Sequence, residues 1–333
     1  MHIADFPRQR YTSGDTAIEY LPRLSAELNG PNIYIKRDDQ LGLAAGGNKT
    51  RKLEFLMADA ISHGADTIIT TGGVQSNHCR LTLSAAAKEG LNCRLLLQEH
   101  LPDSFDSKAS GNNLLYKILG ADSVEVIPRT VNSSERMQSI ADDVTATGGI
   151  PYIIPGGGSS PRGALGYVVC ADEILAQAKA MSVSFDHVVC ASGSGGTQAG
   201  LITGFARAKS DTSVTGVSIS ASRDVQEGRV FELITELSAL LDAPFPAPRE
   251  SVTVLDEYVG PGYTLPTPEM AFALRFFAQK EGILLDPVYS GKAAAGLIQT
   301  ARLGEYAADS NVLFLHTGGS PAIYAHPDAA FTR

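Results

Sequence analysis

A lysine that follows a pair of glycines is the residue whose position first suggests chemistry. The stretch Gly46-Gly47-Asn48-Lys49 leads into apolar residues at helical spacing, and Gly64 ends the pattern. The spacing predicts an amphipathic helix that begins at Lys49, with Asn48 as its N-cap. The positive end of a helix dipole disfavours an ammonium group, so this position suits an amine that loses its proton and attacks a carbonyl. Taken alone, the stretch fits a solvent-exposed loop lysine better.

A second motif, Gly72-Gly73-Val74-Gln75-Ser76-Asn77-His78, follows a predicted strand and opens a predicted helix. Free backbone N–H groups and short polar side chains at the start of a helix can bind a carboxylate. Ser76 and Asn77 have a plainer alternative, since both residue types are common helix caps.

A third motif, Ser192-Gly193-Ser194-Gly195-Gly196-Thr197-Gln198, also follows a predicted strand. Small residues let several amide groups converge on one phosphate, and Ser194 and Thr197 add hydroxyl groups. The dinucleotide fingerprint needs glycine where Gln198 stands, and the lysine of the Walker pattern is missing. The motif therefore predicts a phosphate site without a nucleotide, and a tight strand-to-helix turn is the alternative.

Two tyrosines in glycine-containing loops complete the set. Tyr289 lies in Asp286-Pro287-Val288-Tyr289-Ser290-Gly291, and Tyr263 lies in Gly260-Pro261-Gly262-Tyr263. Such tyrosines can stack on a flat ring or act as acid or base groups, although many only pack. His63, His100 and His187 are expected to be surface or structural residues.

Together, a cleft-facing lysine, a carboxylate corner, a phosphate cup and ring-facing tyrosines fit pyridoxal 5′-phosphate better than any nucleotide. That cofactor carries an aldehyde, which an amine can capture, and a phosphate, which the cup can hold. Agreement among separate motifs makes Lys49 a functional residue rather than a loop lysine.

The elements that must position these residues follow an α/β pattern, because short β-branched runs alternate with helical segments along almost the whole chain. The pattern predicts two open parallel-sheet α/β domains with the cofactor in the cleft between them. The segment Pro155-Gly156-Gly157-Gly158-Ser159-Ser160-Pro161 predicts a crossing between the domains. We assign residues 51–155 to a small substrate-side domain, and residues 1–50 and 156–333 to a large cofactor-binding domain.

The individual elements are predicted as follows. The strands are Ile33 to Lys36, Thr67 to Thr71, Cys93 to Gln98, Ser123 to Ile127, Pro151 to Ile154, His187 to Ala191, Val214 to Ser220 and Val312 to His316. Besides the helix at Lys49, the helices are Asn77 to Glu89, Ser107 to Leu119, Ser134 to Thr147, Gly163 to Ala180, Thr197 to Ala208 and Glu269 to Glu281.

Composition limits the partners. A net charge of -9 and a pI near 5.3 argue against nucleic acid and anionic membranes, so any anion site must be local. The four cysteines stand far apart without a metal or disulfide pattern, which predicts buried free thiols and no metal. The N-terminus lacks the apolar core of a signal peptide and no run could span a membrane, so a soluble cytoplasmic protein is expected.

The assembled motifs resemble the tryptophan-synthase-β-like class of pyridoxal-phosphate enzymes, also called fold type II. Within that class, the chain is similar to the family that contains 1-aminocyclopropane-1-carboxylate (ACC) deaminase, D-cysteine desulfhydrase and L-cysteate sulfo-lyase. The similarity runs nearly end to end. It rests on Ile35-Lys36-Arg37-Asp38-Asp39, Gly46-Gly47-Asn48-Lys49, Gln75-Ser76-Asn77-His78, Gly193-Ser194-Gly195-Gly196-Thr197-Gln198, Asp286-Pro287-Val288-Tyr289 and His316-Thr317-Gly318-Gly319.

The resemblance implies roles for the residues that bind the cofactor. Lys49 would carry the Schiff base and serve as the base, and Asn77 would lie beside the phenolic oxygen of the ring. The phosphate would be held by the run Ser194, Gly195, Gly196 and Thr197. A homodimer is implied in the same way.

The resemblance also implies a substrate site. Ser76, together with the amides of Asn77 and His78, would bind the substrate carboxylate. Tyr263 and Tyr289 would flank the substrate and the ring, and either Tyr289 or Tyr263 would assist the leaving group.

Ser290 departs from the pattern that the resemblance implies for the deaminase members. Those members look as if they have a glutamate at this position, which can pair with the protonated pyridine nitrogen. A serine hydroxyl leaves that nitrogen nearly neutral. Opening a cyclopropane needs prolonged carbanion stabilisation, whereas β-elimination expels its leaving group as soon as the α-proton is lost. Ser290 therefore favours a β-eliminating lyase over an ACC deaminase.

The expected function is an L-cysteate sulfo-lyase that releases sulfite, pyruvate and ammonia, because residues 8–12, 75–82 and 258–263 are similar to that branch. The alternative is a D-cysteine desulfhydrase, which releases sulfide. The candidate donors to a sulfonate are His78, Arg80, Tyr263 and Ser320, although Arg80 equally fits the outer face of its helix.

A protein of a different class, which binds a carboxylate or pyridoxal phosphate without chemistry, is the remaining alternative. The combination of Lys49 with Ser76 and Tyr289 argues against it, because a binding protein needs no base.

Overall fold

The computed structural model describes residues 3–242 and 247–333, and its strands form one six-stranded and one four-stranded sheet. Residues 1–2 and 243–246, which the predicted large domain includes, lie outside the described residues. The strands are β1 (Ile18–Tyr20), β2 (Asn32–Lys36), β3 (Thr67–Gly73), β4 (Asn92–Glu99), β5 (Ser123–Pro128), β6 (Pro151–Ile154), β7 (His187–Ser192), β8 (Ser213–Ser218), β9 (Thr253–Leu255) and β10 (Asn311–Leu315).

Helices alternate with these strands as the sequence pattern predicts. They are α1 (Pro22–Leu28), α2 (Lys49–Ser62), α3 (Asn77–Glu89), α4 (Asn112–Ile118), α5 (Ser133–Ala146), α6 (Pro161–Met181), α7 (Gly196–Arg207), α8 (Arg223–Leu240), α9 (Pro268–Glu281), α10 (Ser290–Arg302) and α11 (Pro321–Ala325).

The two sheets confirm the prediction of two parallel α/β units. The larger sheet has the strand order β1-β2-β10-β7-β8-β9, and the smaller has the order β5-β4-β3-β6. All neighbouring strands are parallel except β1 and β2, which form an antiparallel pair at the edge of the larger sheet. That antiparallel strand was not predicted. The exact residues at which one domain ends and the other begins stay a prediction.

Buried apolar side chains cover both faces of each sheet, as expected for parallel strands. In β7, Val188 faces the layer that contains α6 and α7, whereas Val189 faces the layer that contains α9 and α10. In the smaller sheet, Ile68 packs with α2 and α3, and Ile69 packs with α5. Successive residues therefore fill opposite cores.

Helix α2 is buried on almost every side, although an amphipathic helix was expected. Leu53 packs into the core of the smaller sheet, whereas Phe55 packs into the core around α6. Arg51 is only 3% exposed and forms ion pairs of 2.8 Å with Asp38 and 2.7 Å with Glu173. A buried guanidinium is tolerated here because both carboxylates compensate its charge.

The sequence before α2 fixes where the helix starts. Gly46 and Gly47 have φ values of 66° and 129°, which favour glycine, and a Cβ atom on Gly46 would lie 1.7 Å from the carbonyl oxygen of Asp39. The N–H group of Asn48 donates to the carbonyl oxygen of Thr317 at 3.1 Å. This loop places Lys49 in the first turn of α2, as predicted.

The prediction of buried free thiols agrees with the structure. Cys79, Cys93, Cys170 and Cys190 are buried and free. Across residues 3–242 and 247–333, no group of His, Cys, Asp or Glu side chains has an arrangement that could hold a metal ion. Within the same residues, no helix combines the length and apolar character needed to cross a membrane.

Candidate active site

A cleft of about 960 Å³ lies where the carboxyl ends of strands from both sheets meet. Gly72 and Gly73 reach it from the end of β3, Gln98 from β4, and Ala191 from β7. Ligands of open α/β sheets bind at this end of the strands. The cleft therefore brings together most of the motifs that the sequence singled out.

Lys49 lies in the wall of this cleft at the start of α2. Burial lowers the pKa of its amine from 10.5 to about 8. Its Nζ atom forms no hydrogen bond or ion pair with any residue that the structure describes. A half-buried amine without a partner, and with a pKa near neutrality, is suited to attack a carbonyl and to accept a proton.

Asn48 differs from its predicted role. It occupies the N-cap position of α2, but its side chain caps no backbone N–H group and its backbone is helical, with φ of -56° and ψ of -23°. Instead, Nδ2 donates to Thr197 Oγ1 at 2.9 Å. The side chain therefore links the start of α2 to the start of α7, across the cleft.

Lys52, one turn after Lys49, is a functional candidate that sequence reasoning missed. Its side chain is fully buried, and Nζ donates to Ser159 Oγ at 2.9 Å and to the carbonyl oxygen of Gly157 at 3.1 Å. Burial and the nearby charge of Lys49 lower the pKa of Lys52 well below its usual range. An anion bound here would compensate a costly buried charge.

Hydroxyl and amide groups surround the Lys52 amine, and they include residues that were predicted to form a phosphate cup. Ser159 Oγ donates to Ser194 Oγ at 2.7 Å and accepts from the N–H group of Gly196 at 3.1 Å. Ser194, Gly195 and Thr197 line the cleft, whereas Gly196 lies just behind its surface. Ser159 was not predicted to belong to the cup. It contacts these residues because the turn between β6 and α6 places it beside the start of α7.

The cup suits the phosphate of pyridoxal phosphate, because hydrogen-bond donors face one space from several directions. A larger side chain at either of two glycines would fill that space. A Cβ atom on Gly196 would lie 2.6 Å from Ser159 Oγ and 2.8 Å from Lys52 Nζ. A Cβ atom on Gly157 would lie 2.2 Å from Ser194 Oγ. Glycine at both positions keeps open the space that the donors face, and Lys49 supplies an amine for the aldehyde.

The residues of the predicted carboxylate corner lie together at the start of α3. Ser76, Asn77 and His78 line the cleft. Ser76 Oγ accepts from the N–H group of Cys79 at 3.1 Å, so Ser76 is a helix cap and a cleft residue at once. As the first residues of a helix, Asn77 and His78 have N–H groups without an intrahelical acceptor, which suits an incoming carboxylate.

The side chains of Asn77 and His78 make contacts that are separate from the role predicted for their backbone N–H groups. The ring of His78 meets Thr70 Oγ1 at 2.8 Å, and burial with the charges of Lys49 and Lys52 lowers its pKa well below the usual value. His78 is therefore neutral at the pH of most assays. Asn77 accepts two hydrogen bonds at Oδ1 and keeps its amide nitrogen available to a ligand.

Arg80 and Ser320 are not among the residues that line the cleft, so the structure gives no support to their predicted role in binding a sulfonate. The alternative for Arg80, an outward-facing surface position, is wrong, because the side chain is fully buried. Its guanidinium donates to Asn77 Oδ1, to Asn112 Oδ1 and to the carbonyl oxygen of Gly46 at 2.7 to 2.8 Å. Arg80 thereby connects the carboxylate corner to the loop before Lys49.

Tyr263 and Tyr289 meet in the cleft, where their hydroxyl oxygens are 2.5 Å apart. Burial raises the pKa of Tyr263 to about 12, and burial together with Tyr263 raises that of Tyr289 well above its usual value. Both phenols are therefore protonated at neutral pH. They can donate a hydrogen bond to a group that develops negative charge.

Ser290, which was predicted to lie beside the cofactor ring, is fully buried and is not among the residues that line the cleft. Its hydroxyl donates to Asp286 Oδ1 at 2.7 Å and lies 3.4 Å from the carbonyl oxygen of Gly318, which does line the cleft. The hydroxyl is held there because Asp286 accepts hydrogen bonds from the first turn of α10. The contact between Ser290 and the pyridine nitrogen stays a prediction.

His100, which was expected to be a surface or structural residue, lines the cleft. Its ring packs edge-on against Tyr263, with centroids 4.5 Å apart. Arg129 and Arg229 also line the cleft, and sequence reasoning missed both. None of these residues belongs to a glycine-rich motif, so the sequence offered no local signal for them.

The described lining of the cleft contains no aspartate and no glutamate, although the whole chain has a net charge of -9. Its ionisable groups are Lys49, His78, His100, Arg129, Arg229 and the tyrosine pair. A cleft with this lining attracts anions such as a phosphate and a carboxylate.

Comparisons with known proteins agree with this geometry. The family model described as "Pyridoxal-phosphate dependent enzyme" matches residues 10–318. A D-cysteine desulfhydrase of Klebsiella pneumoniae (strain 342) is 44% identical over 327 residues, which cover 98% of each chain. A D-cysteine desulfhydrase of Serratia proteamaculans (strain 568) is 43% identical with the same coverage.

Solved structures lead to the same group. A crystal structure described as an ACC deaminase homologue is 38% identical, with a TM-score of 0.89 over 99% of each chain. The structure of O-ureido-L-serine synthase is 18% identical, with a TM-score of 0.63 over 96% of this chain and 92% of that one, and shows a shared fold alone.

Proposed function

The chain belongs to the pyridoxal-phosphate dependent enzymes, in the ACC deaminase and D-cysteine desulfhydrase family, and we propose that it cleaves the carbon–sulfur bond of a cysteine-like amino acid. The products would be the sulfur group, pyruvate and ammonia. The observation that carries the proposal is the unpartnered amine of Lys49, with its pKa of about 8, between a phosphate cup and a carboxylate corner.

The residues of this chain can divide the work as follows. When bound, pyridoxal phosphate supplies an aldehyde that captures amino groups and an electron sink for negative charge at Cα. Lys52, Ser159, Ser194 and the amide groups at the start of α7 would hold its phosphate. The start of α3, with Ser76, would hold the substrate carboxylate and orient Cα toward Lys49.

Lys49 is then the residue that removes the α-proton, because its amine is neutral in a sizeable fraction of molecules at neutral pH. Loss of that proton lets the bond between Cβ and sulfur break, with the electron pair leaving on sulfur. The hydroxyl groups of Tyr263 and Tyr289 can donate to the departing sulfur group. Water afterwards converts the aminoacrylate that is released to pyruvate and ammonia.

D-cysteine is the first candidate substrate, because the relatives at 43% and 44% identity are named D-cysteine desulfhydrase. The expectation that L-cysteate is the main substrate receives no support from these relatives. L-Cysteate remains the second candidate because the cleft lining has two arginines and no carboxylate, which suits a sulfonate. Deamination of ACC is disfavoured by the serine at position 290.

The test is to incubate the purified enzyme separately with D-cysteine and with L-cysteate, and to assay sulfide, sulfite and pyruvate. D-Cysteine is expected to give sulfide and pyruvate in equal amounts. The Lys49→Ala variant should form neither product and should lose the visible absorbance of lysine-bound cofactor. Pyruvate from neither amino acid would overturn the proposal, and full turnover by the variant would overturn the role of Lys49.

Two further parts of the proposal come from the family resemblance. The enzyme would be a homodimer, and it would act in the cytoplasm on a small amino acid rather than on a macromolecule.

A further inference from the structure

The cleft has a second polar corner, which neither the cofactor site nor the carboxylate corner uses. It lies where β4 and β5 end and α5 begins, and we call it the His100 corner. The residues that form it are Gln98, His100, Arg129, Ser133 and Ser134.

The His100 corner adjoins the carboxylate corner directly. A Cβ atom on Gly73 would lie 3.3 Å from His100 Cδ2 and 3.2 Å from Tyr263 Cε1. The carbonyl oxygen of Gly73 accepts from the N–H group of Ser76 at 2.9 Å. A substrate whose carboxylate is bound at Ser76 therefore has His100 and Tyr263 as near neighbours.

His100 has unused hydrogen-bonding capacity. Its Nδ1 atom is enclosed by the protein and has no hydrogen-bond partner. No residue that the structure describes bonds to the other ring nitrogen, Nε2, which is not enclosed. Nε2 is thus the nitrogen that a ligand in the cleft can reach, and the ring contact with Tyr263 fixes its direction.

Arg129 brings an uncompensated positive charge to the same corner. Its backbone N–H group donates to the carbonyl oxygen of Glu99 at 3.2 Å, but its guanidinium has no acidic partner among residues 3–242 and 247–333. The carboxylate of Glu99 is occupied instead by the N–H group of Phe105 at 2.8 Å. Burial and the charge of Arg129 lower the pKa of His100, so the two side chains lie close enough to interact electrostatically.

From this geometry we propose that the His100 corner is the subsite for the group on Cβ of the substrate, and that it binds an anionic group, a sulfonate, more tightly than a thiol without excluding D-cysteine as a substrate. Arg129 supplies the charge, and Nε2 of His100 and the hydroxyl groups of Ser133 and Ser134 supply hydrogen bonds. The proposal rests on the proposed function, because it takes the substrate to be an amino acid with sulfur on Cβ. It makes His100 and Arg129 specificity-determining residues.

The test measures binding without reaction. 3-Sulfopropanoate and 3-mercaptopropanoate are cysteate and cysteine without the amino group, so they cannot be processed, and propanoate lacks the Cβ group altogether. Titration calorimetry on the holoenzyme should show 3-sulfopropanoate binding at least about tenfold more tightly than the other two compounds. Equal binding of the three compounds would overturn the proposal.

Two variants assign the preference to residues, and a third is the control. Arg129→Gln and His100→Asn should each remove most of the preference for 3-sulfopropanoate and leave the binding of propanoate unchanged. Arg94→Gln alters a half-buried arginine of β4 that pairs with Asp122 outside the cleft, and it should change neither the preference nor the binding of propanoate. A preference that survives in both Arg129→Gln and His100→Asn would show that the subsite lies elsewhere.

The outcomes for the subsite and for the proposed function are separate. Discrimination between the probes without pyruvate formation from any cysteine-like amino acid would support the subsite and overturn the proposed function. Sulfide and pyruvate from D-cysteine, together with equal binding of the probes, would support the proposed function and overturn the subsite.

Discussion

At the scale of single residues, the candidate site depends on basic side chains that have no carboxylate partner. Burial and the charge of Lys49 lower the pKa of Lys52, and burial with the charges of Lys49 and Lys52 lowers the pKa of His78. Sequence reasoning identified Lys49 and His78 because they stand beside glycine-rich turns. Lys52 was missed, although it follows Lys49 by one helical turn, because its partner Ser159 comes from a distant turn that only the folded chain brings near.

The lowered pKa of Lys49 predicts a pH dependence for cofactor capture. Only the neutral amine attacks an aldehyde, and a pKa of about 8 leaves about a tenth of the amine neutral at pH 7, against far less for an ordinary lysine. The rate at which apoenzyme reacts with pyridoxal should therefore rise with pH, with a midpoint near pH 8, and level off above about pH 9. The growth of visible absorbance gives this rate.

Pyridoxal is the appropriate reagent because it lacks the phosphate, whose charge would act back on the pKa of Lys49. The Lys49→Ala variant corrects for reaction at other lysines. A midpoint near 10.5, the ordinary lysine value, would contradict the environment that the structure gives this amine.

At the scale of elements, sequence periodicity predicted most of the strands and helices. It missed the short elements α1, β1, β9 and α11, the 18-residue helix α8, and α10, whose alanines and glycines read as a loop. The predicted helix Ser107 to Leu119 begins at Asn112 instead, because Gly111 has a φ of 68° and interrupts it. Short elements and small residues carry too little pattern to be distinguished without tertiary contacts.

Close packing of α7 on α6 gives a prediction at this scale. A Cβ atom on Gly200 of α7 would lie 2.5 Å from the carbonyl oxygen of Ala164 and from Tyr167 Cβ, so Gly200→Ala forces the helices apart. Overpacking of this kind costs roughly 1 to 3 kcal/mol. Urea denaturation should show that loss, and because α7 begins at the phosphate cup, cofactor affinity should fall as well.

Gly228 in α8 is the matched control, because a Cβ atom there would meet no atom within 4 Å. Gly228→Ala should stabilise the protein by roughly 0.5 to 1 kcal/mol, since alanine loses less backbone freedom in a helix. Equal effects of the two substitutions on stability would contradict this prediction. They would mean that the close packing of α6 and α7 leaves room for alanine at position 200.

At the scale of the whole molecule, the two sheets face one cleft that attracts anions within an acidic protein. The division into two α/β units could be predicted from the alternation of strands and helices. The composition of the cleft could not, because His100, Arg129 and Arg229 reach it from separate elements. The carboxylates are excluded from the described cleft lining, so the net charge of -9 resides elsewhere.

This arrangement predicts that an anion stabilises the whole apoprotein. Buried Lys52 lacks a carboxylate partner, and its lowered pKa means that the folded state disfavours its charged form. Inorganic phosphate that binds between Lys52 and the start of α7 binds only the folded chain, so it should raise the melting temperature by a few degrees relative to chloride at equal ionic strength.

Lys52→Met distinguishes this binding from the general effect of phosphate on proteins. The variant removes the uncompensated amine, so its apoprotein should melt at a higher temperature than wild type in chloride, and phosphate should add little further. The measurement is thermal unfolding of both apoproteins in the two salts. If phosphate raises both melting temperatures equally, phosphate acts through general exclusion from the protein surface. Lys52 would then not be the residue that binds an anion at the start of α7.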